Sequence, residues 1–376
     1  MKKFFVIAVA AVAAMASCSK TDLIETANDQ NAINFNAFFH KATKANLTTS
    51  DNIAAFEVTA MLNSATYFEA VAVSKNSESK WTYSPVQYWP ATGTVDFFAW
   101  APTATGTGIT KSAYNDFVVA PAQDAESQYD FVVARTQGTK DATTGNGAKY
   151  DVTINFRHAM SQIDVKVFNG NKNLQYDIYG WKVCGVEVDG EYILADANTD
   201  GKNSGKIAAA NWCNNTTYTG MFYDDFTKFN KINASANEAS TAAANITGAT
   251  TMILVPQTGS TAATKYSATT ADATMNGSYI AIDMEIKNAT DGTVVAGRQW
   301  CCWPVAYSWA PGYKYTYVID LSQGGYKELN DGADENGHVP AKANDDLDKV
   351  LDDAEIVFAT VTVDDWADGG STTVTM

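Results

Sequence analysis

The chain has 376 residues, room for two domains of about 150 residues each, with 42 acidic against 26 basic side chains and a net charge of −16. That balance repels phosphate backbones and argues against nucleic acid as a partner; with only 18% charged residues overall it reads as a surface and solubility property that names no substrate. Aromatics at 12% and only 8 prolines suit a β-rich domain rather than a disordered tail.

The N-terminus has the layout of a secretory signal, 1–17, in which Lys2 and Lys3 precede an apolar run and small residues lead to Cys18. The apolar run 4–16 is shorter than the ~20 residues a spanning helix needs. Met15-Ala16-Ser17-Cys18 resembles a bacterial lipobox, which implies acylation of Cys18 and attachment to membrane lipid. Residues 18–31 are polar and acidic, a tether. Residues 32–39 then alternate, with Ile33, Phe35, Ala37 and Phe39 on one face, and predict a half-buried strand. The polar segment 40–52 contains Lys41 and Lys44 and reads as an exposed stretch open to proteases.

Short strand-like runs follow at 53–60, 68–73, 81–83, 95–99, 117–119 and 131–134, separated by turn-rich segments, a spacing that favours a β-sandwich over a helical or βαβ fold. Residues 136–149 are rich in Gly and Thr without large apolar side chains, which places a boundary between an N-terminal domain, 32–148, and a C-terminal domain, 149–376. The second half opens with Val152, Ile154 and Phe156 on one face. Further strands are expected at 163–167, 181–188, 253–255, 279–286, 299–307, 313–321 and 356–363, with long insertions at 195–210 and 233–250.

The common catalytic constellations are missing from the sequence. His40, His158 and His338 are far apart and form no zinc spacing with cysteine, and there is no G-x-S-x-G elbow. Asp196-Ala197-Asn198-Thr199-Asp200-Gly201 begins like a calcium loop, yet Ile207 stands where the bidentate carboxylate belongs, so a plain Asx-rich turn is the expectation. Acidic doublets such as Asp224-Asp225 and Asp352-Asp353 are too numerous for any one to mark a glycosidase. Cys184 and Cys213 could pair or stay free, while adjacent Cys301 and Cys302 point to opposite faces of a strand. No enzyme, cofactor or metal is expected.

Several stretches together resemble the fimbrillin family, the lipoprotein-derived pilins of type V pili. Tyr88-Trp89-Pro90 with Val95-Asp96-Phe97-Phe98-Ala99-Trp100-Ala101-Pro102 resembles its first-domain signature. Phe156-Arg157-His158-Ala159-Met160-Ser161-Gln162-Ile163, Leu254-Val255-Pro256-Gln257 and Trp309-Ala310-Pro311-Gly312-Tyr313-Lys314-Tyr315-Thr316-Tyr317 resemble its second-domain landmarks, in the same order. The resemblance implies an all-β fold of two transthyretin-like β-sandwich domains in tandem, and polymerisation by strand exchange with identical or related pilin subunits. It implies that a trypsin-like protease removes the first strand, here the plug of Ile33, Phe35, Ala37 and Phe39. The family's cleavage residue is arginine; this chain has none before Arg135, so Lys41 or Lys44 takes that place. Residues 356–376 carry Val357, Ala359, Val361 and Val363, then Val374 and Met376, in strand alternation and are the expected donor segment; an ordinary final strand of its own domain fits them equally well. The expected setting is the outer membrane and then an extracellular fimbrium, with a host or bacterial surface as the ligand. The alternative is a surface lipoprotein that never polymerises, as a fimbrial anchor or tip or as a glycan-binding module using exposed tryptophan and tyrosine.

Overall fold

Alternation decides which face of a strand is buried, and in Thr94–Ala101 both faces are. Val95, Phe97, Ala99 and Ala101 enter one core while Phe98 and Trp100 enter another. The computed structural model describes residues 33–38, 48, 53–78, 81–140, 151–194, 211–213, 219–224, 232–233, 243–246, 251–259, 278–323, 326–327, 358–365 and 371–374. Among them the chain is all-β, with short 3-10 turns at Ala125–Ser127 and Leu321–Gln323 and no α-helix.

Thr94–Ala101 lies inside a six-stranded antiparallel sheet. Its order is Arg157–His158, Val132–Thr139, Thr94–Ala101, Ala55–Leu62, Ala65–Lys75 and Trp81–Tyr83. The hairpin between Ala55–Leu62 and Ala65–Lys75 turns on Asn63 and Ser64, both left-handed at φ 51° and 63°, the twist a two-residue turn needs to match its flanking strands. On one face of the sheet lies the first core, where Phe56, Val58, Val73, Trp81, Val95 and Phe97 meet Phe35 of the N-terminal strand Asn34–Phe38 and Ile33 just before it. Val152, Ile154 and Phe156, at the head of the second half in the sequence, also pack in this core.

The opposite face is covered by a four-stranded sheet drawn from both halves of the chain. Its order is Trp212–Cys213, Gly190–Ile193, Asp116–Val119 and Ile109–Ala113, and Gly190 to Ile193 pair antiparallel with Val119 to Asp116. Phe117, Phe131, Tyr192 and Trp212 pack there in tilted and edge-on pairs, with ring centroids 5.1–5.5 Å apart from Phe117 to Phe131, from Phe131 to Tyr192 and from Tyr192 to Trp212.

A further core lies between two larger sheets. One runs Ala244–Asn245, Ser161–Phe168, Tyr313–Asp320, Phe358–Asp365 and Ser371–Val374, with Met252–Leu254 beside Ser161–Phe168; the pairing of Ser161–Phe168 with Tyr313–Asp320 is parallel. The other runs Thr219–Tyr223, Leu174–Glu187, Tyr279–Asn288, Val294–Pro304 and Tyr326–Lys327. Leu174–Glu187 is longer than the sequence predicts because two bulges, at Ile178/Gly180 and Cys184/Val186, let it stay paired; Gly185, at φ 69°, takes the left-handed position in the second. Trp181, Val183, Ile282, Cys301, Trp303 and Tyr317 fill the space between the sheets. Cys301 faces this core and Cys302 the other side, as their adjacency requires, and no disulfide joins Cys184, Cys213, Cys301 or Cys302.

Candidate functional site

The first strand is seated in the first core but stands apart from its six-stranded sheet. Ile33 and Phe35 are fully buried. The Phe35 ring lies 5.4 Å from Tyr83, 5.8 Å from Phe97 and 6.4 Å from Phe56, the last two edge-on. Burying such side chains contributes about 1.5–3 kcal/mol each, and each aromatic pair about 0.5–1.5 more. The backbone is held less extensively. Among the described residues Asn34–Phe38 pairs in parallel with Asp151–Asn155 alone, Asn34 opposite Asp151 and Ala37 opposite Ile154, in a two-stranded sheet.

Ahead of that ladder a second device takes hold of the backbone. The Tyr83 hydroxyl donates to the Ile33 carbonyl at 2.5 Å, the Ile33 N–H donates to the Gln87 carbonyl at 2.9 Å, and the Gln87 N–H donates to the Tyr83 oxygen at 3.2 Å. Burial, partly offset by the Gln87 backbone, pushes the Tyr83 hydroxyl pKa up and keeps it a neutral donor. Downstream, Thr48 donates its N–H to the Asp130 carboxylate at 2.9 Å and its hydroxyl to the Asp130 carbonyl at 3.3 Å. The same carboxylate oxygen lies 2.7 Å from Nδ1 of buried His158. Two fixed points, Ile33 and Thr48, therefore flank Lys41 and Lys44.

The sequence landmarks become joints. Trp89 packs edge-on to Phe97 at 5.7 Å, and a Cβ on Gly138 would fall 2.6 Å from its ring, so only glycine leaves room for the indole. Trp309 stacks on Tyr307 at 4.0 Å and donates its indole N–H to the Tyr317 hydroxyl at 2.9 Å. Gly312, at φ 75°, donates its N–H to the Met160 carbonyl at 2.7 Å, and the Ser161 hydroxyl donates to the Ala310 carbonyl at 2.9 Å. Gln257 accepts from the Glu187 N–H and the Tyr307 hydroxyl and donates to the Glu187 carbonyl. These side chains dock turns onto strands.

At the other end, Ala359, Val361 and Val363 lie on Phe358–Asp365, where Val361 and Val363 stand opposite Tyr317 and Tyr315. Val374 lies on Ser371–Val374, opposite Val361 in the last strand of the sheet. Cys18, Phe39, Lys41, Lys44, Val357, Met376, His40, His338 and Asp196 to Gly201 lie outside the described residues. Tyr83, Gln87, Thr48 and Asp130 carry no sequence signal for the roles they take, since their partners are 50 and 82 positions away. Among the described residues no group of three or more His, Cys, Asp or Glu could hold a metal ion, and no helix is long and apolar enough to cross a membrane.

The described sheets form a multi-sheet β-protein with Asn34–Phe38 seated against its first core. Residues 41–366 match the fimbrillin-like family, and the chain belongs to it. Its role is accordingly fimbrial or adhesive, at the cell surface or in the extracellular fimbrium, in association with other pilin subunits. No curated protein matches the chain. Among solved structures, a candidate cell adhesion protein from Bacteroides uniformis is similar at 13% identity and TM-score 0.45, over 89% of this chain and 98% of that one. A second, from Bacteroides eggerthii, gives 13% and 0.44 over 90% and 96%. The fimbrial anchor protein Mfa2 from Porphyromonas gingivalis gives 10% and 0.30 over 91% and 99%. Likenesses at this level carry no argument of their own; the family match carries the assignment.

Proposed function

We propose that the chain is a structural pilin subunit without catalytic activity, exported as a lipoprotein acylated at Cys18, unplugged by a trypsin-like protease at Lys41 or Lys44, and polymerised by strand exchange. The observation that carries this reading is the state of Asn34–Phe38. Phe35 and the adjoining Ile33 are at the centre of the first core, yet among the described residues the strand's backbone ladder runs to one neighbour. Removing it would leave the six-stranded sheet intact and open an apolar groove, which an extended strand from another subunit would fill by β-augmentation.

Within the donor segment 356–376, Ser371–Val374 is the part that transfers at least cost. Among the described residues it ends its sheet and pairs only with Phe358–Asp365, whereas Phe358–Asp365 is paired on both sides. In this reading the N-terminal domain extends past residue 148 to Phe156, because Val152, Ile154 and Phe156 line the groove's core. Sequencing the N-termini of chains recovered from cell-derived fibres tests the proposal. Chains beginning just after Lys41 or Lys44 are expected. If every chain retains an acylated Cys18, the protein is instead a non-polymerising anchor or tip lipoprotein.

A further inference from the structure

We propose that Tyr83 and Gln87 form a clamp that reads the backbone of one residue of whichever strand occupies the groove, and so fixes that strand's register. The strand is short and paired along one edge, and a slip by one residue would turn Ile33 and Phe35 out of the core. A ladder of five pairs on one side specifies register weakly. The clamp adds what the ladder lacks, satisfying both the N–H and the carbonyl of Ile33, the residue just before the first ladder pair, from a segment outside the strand's own sheet.

None of these bonds uses a side chain of the strand, so the clamp accepts any residue with a backbone N–H, that is, any but proline. Discrimination falls to the pocket two residues on, where Phe56, Tyr83 and Phe97 surround Phe35. Tyr83 belongs to both, its hydroxyl on the Ile33 backbone and its ring against Phe35. The ligand this geometry takes is an extended peptide with apolar side chains at the clamped residue and two positions later. Resting on the function proposed above, the occupant after processing is the segment 371–376 of a second copy, whose Val374-Thr375-Met376 repeats the apolar-polar-apolar pattern of Ile33-Asn34-Phe35.

Tyr83→Phe in the full chain tests the clamp, since it removes the hydroxyl and leaves the ring. Hydrogen exchange over residues 33–38 should quicken about tenfold, the loss of one net hydrogen bond, while Thr94–Ala101 keeps its wild-type rate. Unchanged exchange at 33–38, or an equal rise over Thr94–Ala101 from a general loss of packing, would overturn it. In fibres, Tyr83→Phe subunits should separate in warm detergent about tenfold faster than wild type. Equal rates would overturn the shared use of the clamp by the incoming strand. If wild-type chains never appear processed in fibres, the pilin reading fails, and the exchange experiment on the full chain still decides the clamp.

Discussion

The two main cores are closed in different ways. The first is completed by a strand from outside its sheet, held by one parallel ladder, a backbone clamp and two buried side chains. The second lies between two multi-stranded sheets whose central strands, such as Tyr279–Asn288 and Tyr313–Asp320, are paired on both edges. In the function proposed above, the first core is the one whose strand is exchanged, because lateral hydrogen bonding, rather than hydrophobicity, decides whether a strand can leave.

The sharpest way to break this contrast is Phe35→Ala. Emptying the pocket of Phe56, Tyr83 and Phe97 should cost about 3–5 kcal/mol, seen in denaturant unfolding, with hydrogen exchange rising in the first core and unchanged in Tyr279–Asn288. A uniform rise would mean that the two cores unfold as one. Gly312→Ala should follow at about 1–3 kcal/mol, since it forces a left-handed residue and brings a Cβ 3.3 Å from the His158 carbonyl at the joint between the halves.

Alkaline pH separates the cores in the opposite sense. Burial raises the pKa of Tyr176, Tyr307, Tyr315 and Tyr317, all in or against the second core, and of Tyr83 in the first. A raised tyrosine favours the folded state below its unfolded pKa of 10.0, and that stability is lost as pH climbs through the raised folded values. Near-ultraviolet dichroism and regional exchange above pH 10 should show the second core yielding first. Thr48→Ala is expected to have the smallest effect, about 0.5–1 kcal/mol in denaturant unfolding of the first core, because the N–H bond to Asp130 survives when the hydroxyl is lost.

Much of the fold is legible in the sequence because strand alternation is a local property. Ile33 and Phe35 share a buried face and Cys301 and Cys302 face opposite sides, as their spacing predicts. Less of the site is legible. Tyr83 reads as one more core aromatic in Trp81–Tyr83, and its hydroxyl bond to Ile33 spans 50 positions. Asp130 carries no motif, yet it joins Thr48 to His158.

The sequence by itself determined which residues alternate, where the chain turns and which family it resembles, since each of these depends on neighbours a few positions apart. Only the tertiary structure decided what each strand lies against. It put Val152, Ile154 and Phe156 beside Phe35, built one sheet from Asp116–Val119 and Gly190–Ile193, and set the Tyr83 hydroxyl on the Ile33 carbonyl. Such pairings depend on burial and hydrogen bonding between segments far apart in the chain, and period-two alternation is the same whichever strand lies alongside.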